Sequence, residues 1–414
     1  MDESQILKKL EDGGVKLYEI EKLTGENANE AARIRRKFLE QKFKTQLKHV
    51  GSSTIDFNDA LNRNIENPIG AVQVPLGYAG DLKINGDYAA GVYPILLATT
   101  EGRLVAGVAR GASVANKAGG VNVSVVKDGM TRDILVRVSN VKDAKKLMDW
   151  VRSEAGFSFI KDAFSQSTKH GKLIEVKPYA TGRDIHLRFK ATTGAAMGMN
   201  MVTIGAKTAA EAMVGKAAKE TGVNMIIMSE SGNMCSDKKP AYINMLEGRG
   251  VSVIADIMVP GDTVREKFKA EPELIAELNR TKNLIGSALA GSHGFNAHLA
   301  NMLSASYLAL GQDVSQIVEG AQGITEASVV DGDMYLSVTM PAVEVGTYGG
   351  GTARETQKEI LKLLGLYGEN DPEGRTRLAL AELIAATCLV GEANLLATEA
   401  SGTLASSHGK IKRG

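Results

Sequence analysis

The chain has 414 residues, enough for two or three domains of about 150 residues each. Hydrophobic residues make up 43% and charged residues 23% of the sequence, a balance that excludes a wholly disordered or fibrous protein. The formal net charge is +1, so no overall positive field would attract nucleic acid or an anionic membrane. Two cysteines, Cys235 and Cys388, are too few for a disulfide framework or a four-cysteine zinc site, which indicates an intracellular protein.

The first part of the chain is predicted to be helical. Residues 28–48 place apolar side chains at near-helical spacing among Arg and Lys. From residue 50 to about residue 130 the chain becomes glycine-rich and apolar. This change of composition predicts a helical N-terminal part followed by a larger domain. We assign residues 1–69 to the N-terminal part and let the larger domain start at residue 70.

The middle of the chain, residues 131–229, has a pattern of its own. Strand-like stretches lie at residues 133–138, 172–179, 184–189 and 223–228. Helical periodicity lies at residues 141–153 and 199–220. The resulting order β-α-β-β-α-β is that of the ferredoxin-like arrangement. A compact unit inside a longer chain predicts that the flanking residues, 70–130 and 241–414, form one larger domain.

After Asp237 the chain is predicted to turn helical, with helices at residues 264–282, 296–310 and 376–400. Residues 283–312 contain no Lys, Arg, Asp or Glu and imitate a membrane span in composition. The stretch nevertheless carries several His, Asn and Ser side chains, which are costly in lipid when unpaired. We therefore interpret it as a buried segment of a water-soluble protein and expect no membrane partner.

The familiar catalytic, nucleotide-binding and metal-binding fingerprints are absent from the sequence, so no metal site is predicted. The loop at residues 231–240, which follows the last strand of the middle unit, is unusual instead. Lys238 and Lys239 stand beside Asp237 among small polar residues. Such a loop could hold a carboxylate and polarise a carbonyl group, although a solvated basic loop has the same composition.

Three further places carry candidate chemistry. Glu101 ends an uncharged run and is either a proton donor with a raised pKa or an exposed side chain at a turn. Asp313 ends the uncharged stretch and either caps a helix or meets a buried cation. The glycines within residues 346–352 either let backbone N–H groups approach an anion or form a plain loop.

Together these segments resemble the 3-hydroxy-3-methylglutaryl-CoA (HMG-CoA) reductases. The resemblance is to the first class, shared by eukaryotes and archaea, in its soluble archaeal form, and it covers most of the chain. Its motifs lie at residues 66–70, 98–105, 128–132, 197–201, 231–240, 286–301, 311–313, 346–352 and 407–408.

The resemblance implies an α+β fold with an N-terminal helical part and a large domain built around a long buried central helix. The large domain would bind CoA and substrate, and an inserted ferredoxin-like small domain would bind NADP without a Rossmann motif. Residues 230–240 would be the catalytic loop. The family also implies a homodimer, or a dimer of dimers, with each active site at the subunit interface, and the chain would be cytoplasmic.

The implied reaction is the NADPH-dependent four-electron reduction of HMG-CoA to mevalonate and CoA, in the mevalonate pathway of isoprenoid synthesis. Lys238 matches the cation that stabilises the carbonyl oxyanion, and Asp313 matches the carboxylate bonded to it. Glu101 matches the proton-donating carboxyl group, and His408 matches the acid that protonates the departing thiolate.

The binding residues are likewise implied by matching positions. The resemblance assigns the hydroxymethylglutaryl and CoA parts of the substrate to Arg132, Ser231, Asp237, Lys239, Lys282, Asn301, Arg110 and Lys269. It assigns the cofactor to Thr168, Lys169, His170, Met199, Asn200, Gly349 and Gly350, with Lys169 near the 2′-phosphate.

One departure from the family pattern lies on the cofactor side, where Ala195 stands in place of a usual Asp. It leaves open a degenerate homologue without activity, although Glu101, Lys238, Asp313 and His408 are all present and argue against it. A nucleic-acid-binding protein that uses the middle unit is the other alternative. That unit lacks the interleaved aromatic residues on which bases would stack, so no nucleic acid partner is expected.

Overall fold

Strand pairing defines the framework of the molecule. The computed structural model describes residues 1–168 and 170–402, and within these ranges nine strands share one mixed sheet. Because many helices pack around that sheet, the predicted α+β class is confirmed. The strands are β1 (Leu76–Gly86), β2 (Ala90–Ala98), β3 (Val121–Arg137), β4 (Lys172–Thr181), β5 (Asp184–Thr192), β6 (Ile226–Ser229), β7 (Gly250–Val259), β8 (Ile324–Val330) and β9 (Asp333–Val343).

Helices of very different lengths connect and cover the strands. The α-helices of the described residues are α1 (Glu3–Glu11), α2 (Ile20–Leu23), α3 (Ala28–Phe43), α4 (Phe57–Ala60), α5 (Leu104–Lys117), α6 (Val141–Arg152), α7 (Glu154–Ser165), α8 (Met199–Thr221), α9 (Tyr242–Glu247), α10 (Gly261–Thr263), α11 (Pro272–Leu278), α12 (Ser287–Ala290), α13 (Leu299–Leu310), α14 (Ile317–Gly320), α15 (Glu355–Leu363) and α16 (Arg375–Ala400). Short 3₁₀ turns lie at Leu17–Glu19, Val314–Gln316 and Gly350–Ala353, and π-helical stretches at Val264–Phe268 and Asn279–Gly286.

The long strand β3 joins two parts of the sheet. Its first half pairs in parallel with β1 and antiparallel with β7, and its second half pairs antiparallel with β5 and β6. Gly129 stands at the change of partners with φ 153°, where a Cβ would lie 2.6 Å from the Lys190 side chain. Only glycine fits that backbone and that close approach.

The larger part of the sheet has the strand order β2-β1-β3-β7-β9-β8 and packs around α16. This helix has 26 residues, and its interior from Arg377 to Ala393 is almost entirely buried against α5, α13 and β7. It is long and apolar enough to cross a membrane, yet 89% of its most apolar 18-residue window is buried inside the fold. Burial by protein rather than lipid explains why the helix carries no polar face.

The middle of the chain builds a separate hydrophobic core. The element order is β3, α6, α7, β4, β5, α8 and β6, and the strands lie in the order β4-β5-β3-β6. Side chains such as Ile134, Leu147 and Phe164 are completely buried between strands and helices. The helix predicted at residues 141–153 ends one residue early, because Ser153 caps the additional helix α7 by accepting a bond from the Gly156 N–H.

The N-terminal residues form a third, smaller core. Apolar side chains of α1, α2 and α3 meet around Ile6, Ile20 and Ile34. The buried Arg35 on α3 pairs with Glu21 and donates to the carbonyl oxygen of Leu17. The first helix begins with a capping box formed by Asp2, which agrees with the helical start that the composition predicts.

The prediction that the chain turns helical after Asp237 is wrong for three segments. Strands β7, β8 and β9 lie in this region, and β7 is central in the sheet. From Val253 to Val259 buried side chains alternate with more exposed ones. Ile254 and Met258 on the more exposed face are apolar, so the sequence lacks the polar alternation that marks a half-exposed strand. The helix predicted at residues 264–282 is broken by a left-handed residue, Lys269 with φ 56°, shortly before Pro272 starts α11.

Candidate active site

The loop after β6 carries Lys238 and is fixed at several points. The carboxylate of Asp133 on β3 accepts bonds from the Met234 N–H (2.9 Å) and from His186 Nδ1 (2.8 Å). Further along, Lys238 takes a left-handed backbone conformation with φ 58°. Its N–H donates to Glu319 Oε1 over 2.8 Å. The buried carboxylates of Asp133 and Glu319 therefore hold the loop, while the Lys238 side chain stays half exposed.

Lys238 and Asp313 meet although 75 residues separate them in sequence. The Lys238 Nζ lies 3.3 Å from Asp313 Oδ2. Asp313 also caps the 3₁₀ turn at Val314–Gln316 by accepting from the Ser315 N–H (3.1 Å) and hydroxyl (2.6 Å). Partial burial raises the pKa of Asp313, but the bonds from Ser315 and the charge of Lys238 outweigh it and hold that pKa below its ordinary value. Asp313 therefore caps a turn, as one interpretation predicts, and the cation that it also meets is half exposed rather than buried.

Arg132 lies beside the same loop. Its guanidinium donates to Ser231 Oγ over 2.9 Å and to Thr203 Oγ1 over 2.8 Å, and it lies 3.8 Å from Asp237 Oδ2. The neighbouring Lys239 is exposed and donates to the backbone oxygen of Asp237. An arginine fixed beside this loop suits the capture of a carboxylate.

A cleft of about 810 Å³ surrounds this cluster. Its walls carry the N-terminus of α8, where Gly198 with φ 85° precedes Met199 and Asn200. Gly349 and Gly350 form the opposite side of the lining, and a Cβ at either would meet nothing within 4 Å. A long helix N-terminus and a glycine loop on one cleft offer backbone N–H groups to an anion. The described residues thus bring Lys238, Asp313, Arg132, Asp237, Met199, Asn200, Gly349 and Gly350 together.

Glu101 lies in a second cleft, of about 340 Å³. It follows β2 in a turn, is exposed, and accepts a bond from Asn301 Nδ2 over 3.1 Å. Asn301 Nδ2 also lies 3.3 Å from His298 Nδ1. Arg110 lines the same cleft, donates to the Lys267 carbonyl and packs over the Phe268 ring. Burial lowers the pKa of Arg110 below its ordinary value.

The two clefts share no lining residue. Glu101, Asn301 and Arg110 are consequently not brought together with Lys238 and Asp313 within one copy of the chain. Of the remaining predicted substrate residues, Lys282 pairs with Glu399 on α16. Lys269 takes the left-handed conformation that breaks the predicted helix, and neither lysine lines either cleft.

Two of the predicted cofactor residues, Thr168 and His170, lie by a third cleft, of about 460 Å³. His170 and Ala195 line it, and Thr168 Oγ1 accepts from the His170 and Gly171 N–H groups. This cleft adjoins the Lys238 cleft, because Ala196, Met201 and Tyr348 line both. Lys169, predicted at the 2′-phosphate, and His408, predicted at the reacting sulfur, lie outside the described residues.

A buried charge cluster behind Lys238 was missed from the sequence. Arg249 is completely buried and contacts Asp237 Oδ1 (2.7 Å), Glu344 Oε1 (2.8 Å) and Glu319 Oε1 (3.3 Å). The one available signal was Glu344, a carboxylate set between Val343 and Val345 in an apolar run. Within the two described ranges, no group of three His, Cys, Asp or Glu side chains is arranged to hold a metal ion.

Comparison with known proteins identifies the family. The sequence model described as hydroxymethylglutaryl-coenzyme A reductase matches residues 31–413. The 3-hydroxy-3-methylglutaryl-coenzyme A reductase of Pyrococcus abyssi is 46% identical over 414 residues and covers 100% of both chains. That of Methanocaldococcus jannaschii is 46% identical over 411 residues, with 99% of each chain covered.

A solved structure agrees at the level of the fold. The class II 3-hydroxy-3-methylglutaryl-CoA reductase from Streptococcus pneumoniae, bound to NADPH, superposes with a TM-score of 0.61 and 15% sequence identity. The match covers 88% of this chain and 96% of that chain. Full-length similarity to the archaeal enzymes and a matching fold lead to one conclusion: the chain belongs to the hydroxymethylglutaryl-coenzyme A reductase family, a family of oxidoreductases, as its sequence motifs predict.

Proposed function

We propose that the chain reduces (S)-3-hydroxy-3-methylglutaryl-CoA to (R)-mevalonate and free CoA, the committed step of isoprenoid lipid synthesis. Two molecules of NADPH would each deliver one hydride, and two protons would be taken up. The observation that carries the proposal is the Lys238–Asp313 pair beside Arg132 in the largest of the three clefts. A fixed ammonium group at a carbonyl oxygen is what reduction of a thioester requires.

The residues around this cleft fit a dinucleotide phosphate. The start of α8 and the glycine loop supply N–H donors, and Asn200 supplies an amide side chain. Thr168, Lys169 and His170 would take the 2′-phosphate, since hydroxyl, ammonium and imidazole groups suit that anion. When bound there, NADPH supplies the hydride. Ala195 offers no acceptor for its ribose or amide groups at the position where relatives are expected to carry Asp.

A side chain of this chain would serve each step of the reduction. Lys238 would stabilise the oxyanion that forms when the thioester carbonyl is reduced, and Asp313 would hold the ammonium group in place. Glu101 would donate a proton to the carbonyl oxygen. His408 would protonate the CoA thiolate as it leaves, after which the aldehyde is reduced at the same site.

The separation of Glu101 from Lys238 supports an active site shared between two copies of the chain. Because the two clefts share no lining residue, Glu101, Asn301 and Arg110 of one copy would complete the Lys238 cleft of another. A two-fold dimer would build two such sites at once. We therefore propose a homodimer, or a dimer of dimers, in the cytoplasm, acting on HMG-CoA and NADP(H) without nucleic acid.

The proposed division of the chain follows the three cores. The N-terminal part would be residues 1–69, the large domain residues 70–130 and 241–414, the small domain residues 131–229 and the catalytic loop residues 230–240. The strand order β4-β5-β3-β6, with helices between the strands, supports a ferredoxin-like small domain. Burial of α16 supports its role as the central helix.

The test is a reduction assay with the purified chain. We expect NADPH oxidation that depends on HMG-CoA, with (R)-mevalonate and a free thiol as products. Acetyl-CoA serves as the control thioester and should not be reduced, because it has no carboxylate for Arg132 and Lys239. A folded protein that produces no mevalonate would reject the proposal and favour a homologue without activity.

A further inference from the structure

The buried cluster behind the active-site loop contains more carboxylates than cations. Arg249 lies between α9 and β7, and its side chain has no exposed surface. Asp237, Glu319 and Glu344 all contact its guanidinium within 3.3 Å. Glu319 and Glu344 share a single guanidinium nitrogen, Nε, and both side chains are fully buried. A cluster that costly to bury calls for an explanation beyond stability.

Glu319 differs from Glu344 in having a second partner. Its Oε1 accepts the Lys238 N–H over 2.8 Å, whereas the Glu344 oxygens have only Arg249 among the described residues. The same oxygen therefore touches both the buried cation and the backbone of the lysine. A carboxylate kept in place by Arg249 is a rigid acceptor, because its own movement would break an ion pair in a dry environment.

The backbone at Lys238 needs such an acceptor. Three residues of the loop, Asn233, Ser236 and Lys238, have positive φ although none is glycine. Such a conformation is strained and persists only where neighbouring contacts enforce it. The buried hydrogen bond to Asn244 enforces the left-handed conformation of Ser236, and the bond to Glu319 enforces that of Lys238. Without that bond the loop can relax, and the ammonium group would leave its place beside Asp313.

We propose that Glu319 is a positioning residue, which holds the left-handed backbone of Lys238 through its Lys238 N–H bond and thereby aims the ammonium group at the substrate carbonyl. The function of that ammonium group rests on the proposed reductase activity. The holding of the loop does not, and it can be measured without any substrate.

The experiment compares three variants of the full chain. Glu319→Gln keeps an oxygen acceptor of the same reach and removes the charge. Glu319→Met keeps the volume and removes the acceptor. Glu319→Asp keeps the charge and withdraws the acceptor by one methylene group, so it also serves if the Met variant does not fold.

Two readouts are taken on each variant: steady-state kinetics and hydrogen–deuterium exchange of the peptide covering residues 231–240. We expect the Met and Asp variants to lose kcat by about 10- to 100-fold, with the KM for NADPH unchanged, and to exchange faster in that peptide. The Gln variant should restore both readouts to near the wild-type values.

Three results would overturn the proposal. Unchanged exchange in the Met and Asp variants would show that Glu319 does not hold the loop. Faster exchange with unchanged kcat would show that the loop is held but that Lys238 does not depend on it. If the Gln variant were as impaired as the Met variant, the loss would come from removing the negative charge beside Arg249 and not from removing the hydrogen-bond acceptor. An inactive wild-type chain with the expected exchange pattern would reject the reductase function and leave the holding of the loop standing.

Discussion

The proposed chemistry depends most directly on Lys238, whose Nζ lies beside Asp313 in the cleft. We predict that Lys238→Met lowers kcat by about 10²- to 10³-fold, the usual loss for one oxyanion-stabilising group. Lys239→Met is the matched control and should mainly raise the KM for HMG-CoA, since Lys239 is exposed and bonds only within the loop. Similar kinetics for the two variants would argue against distinct roles.

The role proposed for His408 rests on the sequence, as this residue lies outside the described residues. Only the first half of the reaction expels a thiolate, so only that half needs an acid beside sulfur. We predict that His408→Gln strongly slows HMG-CoA reduction and spares the reduction of free mevaldehyde. Both rates are measured on one preparation. An equal loss of both rates would show that His408 does not act as the acid that protonates the thiolate.

Burial raises the pKa of Glu344 well above its ordinary value, and the nearby Glu319 adds to this while Arg249 opposes it. The folded chain therefore binds a proton here that the unfolded chain releases. The contribution of Glu344 to the free energy of unfolding consequently falls as the pH rises. Glu344→Gln removes that dependence. We predict that its free energy of unfolding, relative to the wild type, increases from about pH 5 to about pH 8 in urea titrations. A pH-independent difference would contradict a proton held at Glu344.

At the scale of the elements, α5 and α16 approach closely because Gly111 has no side chain. A Cβ at Gly111 would lie 2.0 Å from the Val390 carbonyl oxygen. We predict that Gly111→Ala lowers the free energy of unfolding by about 1–3 kcal/mol or more, because two packed helices must move apart. Urea denaturation measures the change.

Gly215 on α8 is a control site for the glycine-to-alanine substitution, because the added methyl group would contact no other atom. A Cβ there would meet nothing within 4 Å, and the position is exposed. Gly215→Ala should raise stability by about 0.5–1 kcal/mol, since alanine loses less entropy than glycine when the helix forms. If both variants were destabilised alike, helix packing at Gly111 would not be the cause.

The sequence predicted those elements whose pattern is local. Helices α6, α8 and α16 and the hairpin β4–β5 lie within a few residues of their predicted bounds, because one face or one turn marks each of them. Strand β7 escaped prediction because Ile254 and Met258 on its more exposed face are apolar, so the sequence shows no polar alternation.

The candidate site was predictable only where motifs could be recognised. Lys238 and Asp313 were matched to a family and lie together, as that match implies. The contacts of Arg249 with Glu319 and Glu344 join residues 70 and 95 positions apart, and no spacing rule connects such residues. Propensity likewise gives no sign that Glu319 supports the backbone of Lys238.

At the scale of the whole molecule, the proposed active site needs residues from two separate clefts. Glu101 and Lys238 lie in clefts without a common lining residue, and the proposed dimer would bring them together from two copies. Two inactive variants, Glu101→Gln and Lys238→Met, should therefore complement each other. In a mixed dimer, one of the two sites would take intact Glu101 from one copy and intact Lys238 from the other.

Co-expression of the two variants, followed by the HMG-CoA reduction assay, tests this most directly. With random pairing, half the dimers are mixed and half of their sites are intact, so we predict about a quarter of the wild-type activity. Each variant expressed alone should stay close to background. Co-expressed variants that remain as inactive as either alone, although mixed dimers form, would contradict a site shared between two copies.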